Sequence, residues 1–152
     1  NENMIQFVGD KVENFLNEHE LTPDTKIFIL GVAFKGIPET SDIRASTSID
    51  TIQYLKSKKL DNIQVYDPVA SRETLLEAGL ELAESIEDGF RDSHIVLIMN
   101  NHPSYLNVNL FKLISLMQKP GMFFDAWHLF QQNEVESISG IHYQGLGTKK
   151  NC

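Results

Sequence analysis

Residues 26–46, "KIFILGVAFKGIPETSDIRAS", open on nine nearly continuous apolar positions and close on a loop of Pro, Thr, Ser, Asp and Arg. An unbroken apolar run of this length, without alternation, predicts a strand over 26–34 buried on both faces, as in a parallel sheet covered on each side. Working outward, the same punctuation recurs. "NIQVYDP" (62–68) predicts a second strand stopped by Asp67-Pro68, "HIVLIMN" (94–100) a third and "GMFFDAW" (121–127) a fourth, with "IHYQGLG" (141–147) as a last strand or return loop.

Helical patterns lie between them. Thr47-Ser48-Ile49-Asp50 starts a helix whose buried face is Ile49, Ile52 and Leu55 and whose end is the cationic "KSKK". "SRETLLEAG" is a short helix closed by Gly79, "LAESIEDGFRDS" predicts another, and "NLFKLISLMQ" one more before Pro120-Gly121. Ahead of the first strand, Ile5, Val8, Val12, Phe15 and Leu16 recur at helical spacing over residues 2–20, and Pro23 breaks that pattern. Strands alternating with helices predict an α/β, Rossmann-like three-layer domain with a parallel sheet, preceded by an amphipathic N-terminal helix. Ligands of such sheets sit beyond the carboxyl ends of the strands, which would gather segments 34–46, 67–70, 100–105 and 125–130.

Composition narrows the function. The 152 residues are 41% hydrophobic and carry a net charge of -8, so nucleic acid and anionic membrane surfaces are unfavourable partners and any phosphate must be met locally. No apolar run approaches the roughly 20 residues of a membrane span, and the expected location is cytoplasmic. The one cysteine, Cys152, has no partner for a disulfide within the chain and is a poor nucleophile at a terminus. His19, His94, His102, His128 and His142 lack metal-ligand spacing, so no metal is expected, and no catalytic Ser/His/Asp or Cys/His set can be assembled. "GVAFKG" is neither G-x-G-x-x-G nor a P-loop.

Lys35 remains the most informative side chain. Just past a buried strand, its ammonium suits a phosphate or carboxylate, although from spacing alone a solvated loop lysine fits equally. Phe34 could stack on a base or end a core strand; Arg44 could bind a phosphate or pair with Asp42.

The segment "LGVAFKGIPETSDIRAS" resembles the opening of the C-terminal, UDP-binding domain of the UDP-glucose/GDP-mannose dehydrogenase family: a leucine-glycine strand end, alanine-phenylalanine-lysine, a polar loop, then asp-x-arg. "VYDP", "VLIMNNHPSY", "FFDAWHLF" and "HYQGLG" fall where that family has its later strands and turns, and "NENMIQFV" looks like the end of its central helix. The resemblance implies three segments: 1–22 as the end of a central dimerisation helix, 23–148 as a nucleotide-sugar-binding domain, and 149–152 as a tail. It further implies the substrate-binding part of an NAD-dependent enzyme that oxidises the C6 alcohol of a sugar nucleotide to a carboxylate. The NAD domain and the catalytic cysteine lie in parts of the family absent from this chain, which by itself should be inactive and contribute no catalytic residue. Carried over by motif, Phe34 and Lys35 line the sugar-nucleotide site, Arg44 reaches toward NAD and Asp42 orders its loop. Trp127 and His128 stand where the family has Arg-Asn, which makes Trp127 a substrate-side residue of altered chemistry. The implied partners are a nucleotide sugar, a UDP-sugar ahead of a GDP-sugar, the N-terminal NAD-binding domain and further copies of the full enzyme. The alternative is a non-catalytic Rossmann-like binding or oligomerisation module.

Overall fold

A computed structural model describes residues 2–147, and the tail expected at 149–152, with Cys152, lies outside them. Six strands, β1 (Ile27–Leu30), β2 (Ile63–Tyr66), β3 (Glu81–Leu82), β4 (Ile95–Ile98), β5 (Gly121–Asp125) and β6 (Ile141–Gly145), form one sheet. Its order is β3-β2-β1-β4-β5-β6, and every adjacent pair is parallel. Burial follows position. Every residue of β1, β4 and β5 is buried, whereas β2 and β6, nearer the edges, alternate. The unbroken apolar runs of the sequence are thus the central strands, as expected of a sheet with both faces covered.

Helices α1 (Glu2–Glu18), α2 (Thr47–Ser57), α3 (Arg72–Glu77), α4 (Ile86–Phe90), α5 (Leu110–Ser115) and α6 (Gln132–Val135), with a 3₁₀ turn at Pro103–Asn107, supply the outer layers. On one face Val8, Val12, Ile52 and Leu55 from α1 and α2 join a core with Ile27, Ile29, Ile95 and Leu97. On the other, Phe90, Leu113 and Ile114 pack with Phe28, Leu30, Val96 and Ile98. Each such side chain contributes about 1.5–3 kcal/mol by leaving water. No helix among the described residues is long and apolar enough to cross a membrane.

Two details differ from the sequence expectation. The first strand ends at Leu30 instead of Phe34, because Gly31 at φ +100° turns the chain out of the ladder. Val32 and Ala33 stay buried beyond it, which is why the apolar run overshoots the strand. The segment 82–93 is no single helix: Leu82 pairs with Val65 in the ladder, and Ser85 then caps the short α4 by accepting from the Asp88 N–H. The helix α2 begins at Thr47 as expected, capped by Ser46, which accepts from the Ile49 N–H.

Candidate functional site at the switch point of the sheet

The chain leaves β1 toward β2 and β3, then returns to β1's other side as β4. In open parallel sheets ligands are bound at such a reversal, outside the carboxyl ends of the two strands. Here the loops after those strands are Gly31–Ser46 and Met99–His102.

The base of these loops is polar and tightly bonded. The Asp67 carboxylate, 8% exposed, accepts from the backbone N–H groups of Val32 and Ala33 through Oδ2 and from those of Val69 and Ala70 through Oδ1, all at 2.8 Å. One side chain at the end of β2 therefore ties down two rim loops. Burial pushes its pKa up, but the four N–H bonds outweigh burial and the net direction is down. Asn100 lies beside it, donating to Ala33 O and Asp67 Oδ2 at 3.3 Å, while its Oδ1 accepts from the fully buried Tyr105 hydroxyl at 2.6 Å. Burial, with the Asp67 charge adding, drives the Tyr105 phenol well up, so it stays a donor. From below, Ser46 Oγ donates to Val32 O at 2.6 Å and Ser48 Oγ to Gly31 O at 2.5 Å. A Cβ on Gly31 would run into the Asn100 side chain.

Above this base the loop carries its functional candidates outward. Phe34 is 53% exposed and its N–H donates to Asp42 O at 2.6 Å. The Lys35 ammonium sits 5.8 Å from the Phe34 ring centroid and forms no ion pair among the described residues. The Gly36 N–H donates to Asn101 Oδ1 at 3.1 Å, and His102 Nε2 meets Glu39 Oε2 at 2.6 Å, so the β4 loop braces the far side. Arg44 folds back on Asp42 through two side-chain bonds, Nε to Oδ1 at 3.0 Å and an η nitrogen to Oδ2 at 2.9 Å. These bonds hold the Asp42 carboxyl down at about 2, while the guanidinium remains solvent-facing.

Trp127 follows β5, one strand beyond β4. Its indole N–H donates to Met99 O at 3.3 Å, which lays the half-exposed ring across the end of β4. Beneath it the fully buried Asp125 accepts from Trp127 N–H at 3.3 Å, Phe130 N–H at 2.8 Å and the Tyr143 hydroxyl at 3.0 Å. Burial, then the Asp125 charge and hydrogen bond, push the Tyr143 phenol up. The structure thus places Phe34 and Lys35 together on the β1 loop, pairs Asp42 with Arg44, and sets Trp127 on a neighbouring strand end. Asp67, Asn100, Tyr105 and Asp125 were not singled out from sequence, where Asp67-Pro68 reads as a strand stop. The available signal was a polar residue at or just past the end of each of β2, β4 and β5.

A parallel sheet with a lysine-bearing rim loop at its switch point, and without a glycine-rich phosphate turn, defines a Rossmann-like ligand-binding domain. The model of the UDP-glucose/GDP-mannose dehydrogenase family, UDP binding domain, matches residues 28–132, and the chain belongs to that family as its C-terminal domain. It is similar to UDP-glucose 6-dehydrogenase YwqF of Bacillus subtilis (strain 168), 30% identical over 152 residues covering 98% of this chain and 32% of that one. UDP-glucose 6-dehydrogenase 4 of Arabidopsis thaliana is 23% identical over 161 residues, covering 91% and 32%. The chain therefore spans about a third of the length of the curated relatives it matches. Two solved structures share its fold. An NDP-N-acetyl-D-galactosaminuronic acid dehydrogenase from Methanosarcina mazei Go1 superposes with a TM-score of 0.81 at 18% identity, over 98% of this chain and 30% of that one. A UDP-D-ManNAc dehydrogenase from Pyrococcus horikoshii does so with 0.75 at 22%, over 97% and 31%.

Proposed function

We propose that the chain is the sugar-nucleotide-binding part of an NAD-dependent nucleotide-sugar 6-dehydrogenase. In this reading the whole enzyme oxidises the C6 alcohol of a sugar nucleotide to a uronate, NAD is bound mainly by a separate N-terminal domain, and the isolated chain has no dehydrogenase activity. The observation that carries it is Lys35: an ammonium without an ion pair among the described residues, on the rim loop of the switch point, inside the family-matched stretch. Its charge meets the diphosphate, Phe34 and Trp127 offer aromatic faces to the remainder of the ligand, and Arg44, ordered by Asp42, points its guanidinium outward to a cofactor held elsewhere. Residues 1–22 act as the end of a central helix leading into a binding domain over 23–148, and the full enzyme assembles as a homo-oligomer. A UDP-sugar is the preferred ligand over a GDP-sugar.

The test is calorimetric titration of the chain with UDP, UDP-glucose, GDP-mannose and inorganic pyrophosphate, repeated with Lys35→Ala. A charge-assisted contact contributes about 1.5–3 kcal/mol, so the variant should weaken UDP binding roughly 10- to 100-fold. Trp127 is the sole tryptophan, and its emission should change with UDP but not with pyrophosphate. Absence of saturable UDP binding, or binding indifferent to Lys35, would leave a non-catalytic module as the better description.

A further inference from the structure

In many doubly wound domains the backbone N–H groups after the first strand are left open to receive a phosphate. In this chain two of them, those of Val32 and Ala33, are spent on the Asp67 carboxylate, an internal anion that also holds Val69 and Ala70. With these two donors occupied, the first cation along the loop that can meet an anionic ligand is Lys35, two residues beyond Ala33 and four beyond the turn at Gly31. A lysine stem has four rotatable carbons, so its reach is set by the backbone that carries it.

We propose that Asp67, supported by Asn100 and Tyr105, is a positioning residue for the sugar nucleotide: it clamps Val32 and Ala33 so that Lys35 is presented to the diphosphate. The inference rests on the proposed sugar-nucleotide function. The clamp is closed on every side. Ala33 donates its N–H to Asp67 and its carbonyl accepts from Asn100, whose own oxygen is occupied by Tyr105. The Val32 carbonyl is taken by Ser46 and the Gly31 carbonyl by Ser48. Every polar backbone group of the two clamped residues thus has a side-chain partner. All buried side-chain polar atoms among the described residues are satisfied, so loosening one member strands another.

The experiment has a ligand-free arm and a binding arm, on the wild-type chain, Asp67→Asn, Tyr105→Phe, and each of these combined with Lys35→Ala. An asparagine cannot accept all four N–H bonds, whereas Tyr105→Phe removes a single donor and keeps the packing, so it serves if Asp67→Asn fails to fold. Without ligand, amide exchange at Val32 and Ala33 should accelerate about tenfold in Asp67→Asn. With UDP, the dissociation constant should rise about tenfold in Asp67→Asn and two- to threefold in Tyr105→Phe, but less than about twofold when Lys35 is already alanine. That loss of effect is what a merely structural role would not give. Unchanged exchange, or an equal penalty with and without Lys35, overturns the proposal. So does tighter UDP binding in Asp67→Asn, which would mean that the charge of the carboxylate outweighs its bonds. If the wild-type chain binds no UDP, the functional reading fails with it, while the exchange arm still decides whether the clamp exists.

Discussion

Lys35 and Arg44 are both loop cations, yet the structure treats them differently. Arg44 is matched by Asp42 through parallel bonds, while among the described residues Lys35 has the face of Phe34, a contact of about 0.5–1 kcal/mol at an exposed site. A charge so weakly engaged costs little to redirect toward an anion. Arg44→Ala should let the Asp42 carboxyl rise from about 2 toward its ordinary 3.8, followed as a carbon chemical shift against pH. Asp67 gives the opposite kind of signal, through stability. Its folded-state pKa lies below its ordinary 3.8, so its bonds stabilise the fold above that pH and the contribution is lost as pH falls through the folded value. Asp67→Asn should accordingly flatten the acid limb of a Tm-against-pH curve, and an unchanged limb would contradict the bonding described. At this scale the sequence marks Phe34 and Lys35 by motif. It does not mark Asp67, because an aspartate before proline looks the same whether it ends a strand or bonds four amides of two loops.

The β1 loop and α2 behave as one element. Ser46 both accepts from Ile49 at the start of the helix and donates to Val32 in the loop, so one hydroxyl ends the loop and begins the helix. Ser46→Ala should cost about 1–2 kcal/mol in urea unfolding, more than an isolated cap of average strength. Gly31→Ala should cost more, on the order of 2–4 kcal/mol, since it combines a left-handed φ with a collision against Asn100. Long elements were readable because burial imposes a period: the continuous apolar runs of β1, β4 and β5 and the stripe of α1 all appear where expected. The two-residue β3, the five-residue α4 and the four-residue α6 are too short to show one, and their existence depends on tertiary partners.

For the whole molecule, α1 is part of the core instead of an appendage. Val8, Val12, Phe15 and Leu16 are buried against the layer that covers β1 and β4, so Phe15→Ala should cost about 3–5 kcal/mol by denaturant titration; a loss below about 1 kcal/mol would show that the helix merely rests on the surface. Because all six strands run the same way, every strand ends on one rim. Along it Asp67, Asn100 and Asp125 grip the first few residues of the loops, while Ile37 and Trp127 above them are substantially exposed. The consequence is a division of labour between anchorage and display. Side chains at the tips can be exchanged without disturbing the anchors, so what the rim displays can change while the architecture underneath stays put.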